Sequence, residues 1–150
     1  MVKYIHYGST TFSNDQWNEI KNLQWIKPDG GLWASAVDAI YGWKDWNESS
    51  DYQKCEKENS FEFTLSENAR ILVIDSAKVL EQLIPTNKDS KFGKISGILS
   101  AKMYYLDFEK LKEHYDVIDY RVSADRELYW LLYGWDCDSI LVLNKEVIVI

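Results

Sequence analysis

Cysteine is nearly absent from this 150-residue chain: Cys55 and Cys137 are too few for a disulfide framework, and their spacing is not that of a metal site. Histidine is equally scarce. Of its two positions, His114 falls within a charged helical pattern and reads as a bystander, which leaves His6. No apolar run approaches membrane-spanning length, and Met1-Val2-Lys3-Tyr4 does not open a long apolar signal, so a cytoplasmic protein without membrane contact is expected. Positive charge is also short, with 17 Lys and Arg against 24 Asp and Glu and a net charge of −7. That balance argues against nucleic-acid backbone as the main partner, while leaving room for a nucleotide in a local pocket or for docking on a basic partner. Walker-type glycine loops, zinc-ligand spacings and a Gly-x-Ser-x-Gly elbow are all missing. So are repeats, linkers and low-complexity tracts, and residues 1–150 read as one domain.

What the chain has in quantity is aromatic side chains: seven Trp, ten Tyr and five Phe. They supply core volume, and they also suit a groove that stacks planar rings.

In chain order, Val2 to Tyr7 alternates as a first strand that ends in the small, polar run His6-Tyr7-Gly8-Ser9. The spacing of Trp17, Ile20 and Leu23, continued by Trp25 or Ile26, predicts a short helix with Ser13 or Asn14 as its cap. Lys27-Pro28-Asp29-Gly30 forms a turn. A strand over Gly31 to Ser35 then sets Leu32 and Ala34 on one face and Trp33 and Ser35 on the other. The Ala36 to Trp46 pattern fits a helix broken around Gly42, and Asn47 to Ser60 reads as a polar loop. Phe61–Leu65 and Arg70–Ile74 read as strands with a hairpin-like connection, followed by a helix from Ala77 to Leu83 ended by Pro85.

Thr86 to Lys94 is a polar insertion, and Ile95 to Met103 fits neither period. Further helices are expected over Leu106–Tyr115 and over Ala124–Tyr133, the latter capped by Ser123. Strands are expected over Asp116–Val122, Ser139–Leu143 and Val147–Ile150. Strands interleaved with short helices, with no regular βαβ rhythm, give an α+β fold with a mainly antiparallel, split or twisted sheet.

Three short elements lie at or just before strands: His6-Tyr7-Gly8-Ser9, Gly31-Leu32-Trp33-Ala34-Ser35 and Asp136-Cys137-Asp138-Ser139. In order and rough position these elements resemble the ADP-ribosyltransferase fold, most closely its short bacterial and phage members, anti-CRISPR transferases among them. The chain departs from that pattern in three ways. Tyr7 is inserted between the His and the Gly, Trp33 replaces a Tyr and its hydroxyl, and the acid is Asp, which reaches less far than Glu.

The resemblance implies NAD as substrate and a macromolecular acceptor, most simply a protein. His6 would hydrogen-bond the adenosine-side ribose with help from Ser9, and Gly31 backbone groups would pair with the nicotinamide amide. Leu32, Trp33 and Ser35 would shape that pocket, with Trp43 stacking on the ring and Tyr41 or Trp46 as alternatives. Asp138 would stabilise positive charge on the nicotinamide ribose, and Asp136 would orient the acceptor nucleophile. The same pocket fits NAD hydrolysis. The alternative from another class is a catalytically silent, acidic binding protein on the same scaffold.

Overall fold

The computed structural model describes residues 1–23, 27–87, 94–96, 102–104, 106–132 and 134–150. Trp25, Ile26, Tyr133 and most of the stretch from Lys88 to Ala101 lie outside the described residues, and with them much of the expected insertion and of the Ile95–Met103 stretch.

Alternating stretches such as Ser60–Leu65 and continuously apolar ones such as Ile71–Ile74 together build a seven-stranded sheet. In chain order its strands are β1 (Tyr4–Tyr7), β2 (Leu32–Ala36), β3 (Ser60–Leu65), β4 (Ile71–Ile74), β7 (Val117–Tyr120), β8 (Ser139–Val142) and β9 (Ile148–Val149). A separate pair is formed by β5 (Lys94–Ser96) and β6 (Lys102–Tyr104). Across the sheet the order is β4-β7-β8-β2-β1-β3-β9. Among the described residues only β4 and β7 run parallel; every other neighbouring pair of this sheet is antiparallel. The helices are α1 (Trp43–Ser50), α2 (Ala77–Asn87), α3 (Phe108–Leu111) and α4 (Glu127–Leu131). Among the described residues no helix is long and apolar enough to cross a membrane.

Both sheet faces are packed. Leu80 of α2, Phe108 of α3 and Leu128 of α4 bury against Ile74, Ile118, Tyr120 and Leu141 on one face. Tyr4, Ala34, Phe61, Phe63, Ile140 and Val142 form the cluster on the other. Trp33 packs on the first cluster and Leu32 on the second, as the period-two reading of this strand expects.

Where sequence and structure differ, tertiary hydrogen bonds have overridden local propensity. The helix expected over Trp17–Leu23 is absent; a three-residue 3-10 turn, Asn14–Gln16, is capped by Ser13 instead. The chain beyond it is extended. Lys21 pairs with Asp29, and Asn22 donates to Asp107 at 2.8 Å while accepting from the Phe108 N–H at 2.8 Å, which pins this segment to the start of α3. β3 and β4 are not a hairpin: β3 lies between β1 and β9, whereas β4 pairs with β7 at the far edge.

Arg70, just before β4, donates its backbone N–H, Nε and one terminal guanidinium nitrogen to the buried carboxylate of Asp116, and its other terminal nitrogen to the Glu113 carbonyl, which ties β4 to the chain entering β7. That guanidinium, helped by the Arg70 backbone N–H and Asn144, holds the Asp116 carboxyl far below the usual carboxylate range despite its burial.

The expected helix over Ala36–Trp46 begins only after the Gly42 break, and α1 then runs to Ser50 through residues read as loop. Backbone of α2 continues past Pro85 to Asn87. Ser123 does not cap α4: it sits within a 3-10 turn, Val122–Ala124, and is turned toward Asp138.

The sheet divides at one place. β1 pairs with β2 only at Tyr4↔Ala36 and Ile5↔Ser35. Beyond them β1 stays with β3 as far as Tyr7↔Ser60, and β2 stays with β8 as far as Leu32↔Val142. The two halves therefore part between His6–Tyr7 and Leu32–Ala34.

Candidate functional site

Strands that part leave backbone groups without ladder partners, and those groups must be satisfied or solvated. His6 fills part of the gap: its Nδ1 lies 2.7 Å from the Trp33 carbonyl oxygen. A carbonyl can only accept, so Nδ1 carries the hydrogen and Nε2 of the neutral ring is an acceptor. Nε2 has no hydrogen-bond partner among the described residues. Gly8, at φ 122°, leaves it uncovered, since an added Cβ would stand 3.7 Å away.

On one side of this imidazole opens a cleft of about 280 Å³. β1 contributes His6 and Tyr7, β2 contributes Trp33, and Trp43 stands at the first turn of α1. Trp135, Asp136 and Cys137, just before β8, complete it, with Lys27 at the edge. The floor is rigid. Trp135 is 1% exposed, makes an edge contact with Trp33 at 4.8 Å and lies parallel to Phe108 at 6.0 Å. Its indole Nε1 finds no hydrogen-bond partner among the described residues. Trp43 is stacked on Trp46 at 5.2 Å, one turn along α1, so its ring is held from behind.

On the other side of His6 lies a smaller hollow of about 170 Å³, lined by Ser9, Gly31, Leu32, Phe12 and Trp17. Gly31 is here for packing. At φ 71° an added Cβ would meet the Val142 carbonyl oxygen at 2.6 Å, and the Gly31 N–H donates to Asn18 at 2.9 Å. Of the Gly31 backbone groups expected to meet a nicotinamide amide, the N–H is thus engaged within the chain, and Gly31 lines this hollow rather than the Trp33 cleft. Ser9 is exposed enough to reach a ligand and donates only to the Thr11 carbonyl at 3.3 Å.

The two acids part company. Asp136 lines the cleft, and its carboxylate takes no hydrogen bond from any described residue. Asp138 does not reach the cleft and is 8% exposed. Its Oδ1 accepts from the Ser123 N–H at 2.9 Å, and Oδ2 accepts from the Ser123 hydroxyl at 2.5 Å and the Tyr41 N–H at 3.3 Å. Both acids precede the β8 ladder, which begins only at Ser139.

Ser35 is likewise internal to the structure. Buried, it donates to the Asp138 carbonyl at 2.8 Å and accepts from the Trp43 N–H at 2.9 Å. The Asp138 N–H donates to the Tyr41 carbonyl at 2.8 Å. Asp138 and Ser35 thus fasten residues 41–43, and with them the Trp43 wall, to the start of β8.

Tyr41 faces a third depression of about 670 Å³, shared with Trp46, Arg126, Trp130 and Asp136. The sequence singled out neither Trp135 nor Lys27, both of which line the cleft. Cys137 lines the cleft as well. Burial is what pushes this thiol up to about 12, with Asp138 and Asp136 adding to it against the charge of Lys27. Among the described residues, no group of three or more His, Cys, Asp or Glu is placed to hold a metal ion.

No family model, no curated protein and no solved structure matches this chain.

Proposed function

We propose that the chain is an NAD-dependent ADP-ribosyltransferase that modifies a protein acceptor and releases nicotinamide. One observation carries this reading: His6, Trp33 and Asp136, far apart in sequence, line a single aromatic cleft where β1 separates from β2. A volume of about 280 Å³ suits one ring with its sugar, and the hollow across His6 offers room for the second half of a dinucleotide.

In this reading each residue of the cleft has a part in the reaction. Trp43 and Trp33 receive the nicotinamide ring, whose positive charge favours an aromatic face. His6 Nε2 accepts from a ribose hydroxyl. Breaking the N-glycosidic bond sends its electron pair to the nicotinamide nitrogen and leaves positive charge on the sugar, which the unpaired carboxylate of Asp136 stabilises in a largely apolar site. The acceptor nucleophile then bonds to the ribose carbon and loses its proton. Asp138 becomes a positioning residue, and Asp136 takes the charge-stabilising role that the resemblance gave to Asp138.

The test is nicotinamide release from labelled NAD, with and without cell lysate. Release together with a labelled protein band supports transfer, and release alone supports hydrolysis. Neither, together with no Trp fluorescence response to NAD, ends the enzyme reading. The second reading, a silent acidic binder, is favoured by Ile40 at 84% and Trp130 at 62% exposure around the 670 Å³ depression, since large apolar side chains clustered in the open mark docking surfaces.

A further inference from the structure

Lys27 is a cation at the cleft that no motif and no step above employs. Its ammonium stands 5.4 Å from the centre of the Trp33 ring, over the face of the side chain. Lys3, Lys44 and Lys112 each meet a glutamate, whereas Lys27 makes no ion pair among the described residues. Its charge is also felt at the cleft floor, where it opposes the upward push on the Cys137 thiol. An exposed lysine resting on an indole is weakly held, because the ammonium keeps only the ring's quadrupole as partner in place of an anion. A ligand ring arriving at Trp33 competes for the same face.

We infer that Lys27 is the anion-binding residue of the cleft. It leaves the Trp33 ring to pair with a phosphate oxygen of the ligand whose ring takes that face. The ligand class is a phosphate-bearing nucleotide, and the inference rests on the reading of the cleft as a dinucleotide site. A lysine suits the task as a mobile point charge on a flexible stem, able to follow a phosphate as it enters. In a chain of net charge −7, a local cation at the mouth also offsets the repulsion that an anionic ligand meets on approach.

The experiment titrates the full chain with ADP-ribose and, separately, with uncharged nicotinamide, followed by Trp fluorescence, for wild type, Lys27→Met and Lys27→Arg. Methionine keeps the apolar stem and removes the charge, and melting curves verify that the exposed substitution leaves the fold intact. The expected result is a loss of ADP-ribose affinity of about tenfold or more in Lys27→Met, the size of one charge-assisted hydrogen bond. Lys27→Arg should stay within about threefold of wild type, and nicotinamide affinity should not fall in either variant, since uncharged nicotinamide offers no phosphate to pair with. Rising salt should weaken ADP-ribose binding in wild type more than in Lys27→Met.

Equal ADP-ribose affinity in wild type and Lys27→Met overturns the inference, as does a wild type that binds no ADP-ribose. Lys27-dependent ADP-ribose binding without nicotinamide release from NAD upholds the inference while ending the transferase reading. Full NAD turnover by Lys27→Met at subsaturating NAD does the reverse.

Discussion

Asp136→Asn is expected to lower nicotinamide release from NAD by about 10²–10³-fold, the scale of removing one preorganised electrostatic partner from a developing charge. Asparagine fills the same space, so the fold and the packing around Trp135 should survive. The loss should fall on kcat rather than on KM, because positive charge on the ribose builds up as the bond breaks. The carboxylate is suited to the task by what it lacks: it lines the cleft and is bound by no donor among the described residues. Turnover equal to wild type, measured by initial rates at saturating NAD, would remove Asp136 from the reaction.

Asp138→Ala is expected to act on stability instead, costing about 3–5 kcal/mol in urea unfolding, since three donors lose a charged acceptor at once. The Ser123 N–H, the Ser123 hydroxyl and the Tyr41 N–H all depend on this one carboxylate. Asp138→Asn should cost roughly half as much, because the amide oxygen still accepts from Ser123 while its NH₂ faces the Tyr41 N–H. Activity in the asparagine variant should follow the fraction folded. An Asp138→Ala protein as stable as wild type yet devoid of turnover would restore Asp138 to the role that the resemblance implied.

The contrast between these neighbours shows which parts of the site were legible. Alternation in Leu32–Ala36 announced the strand, and the two sides it gave Leu32 and Trp33 are the sides they occupy. The Gly30-Gly31 turn was readable because both residues need positive φ, at 81° and 71°. The direction of Asp138 was not readable. It depends on Ser123 and Tyr41, one of them 97 positions away, and local sequence holds no record of such partners. Trp17–Leu23 failed for the same reason, since a helix-like spacing lost to hydrogen bonds between Asn22 and the start of α3.

Trp135 had a signal, its position beside Asp136, but its place beneath Trp33 is set by the packing of α3 and β7 around it. Lys27 was visible only as part of a turn. Its relation to Trp33 arises once that turn folds back along the mouth of the cleft.

The central claim is that the parting of β1 from β2 is a dinucleotide site, and the indole N–H signals of the seven tryptophans report on it directly. In a nitrogen-edited NMR titration with NAD, the signals of Trp33, Trp43 and Trp135 should move together along one saturable curve, while that of the outlying, 62% exposed Trp130 stays in place. Movement confined to Trp130 and Trp46, or none at any indole, would contradict it.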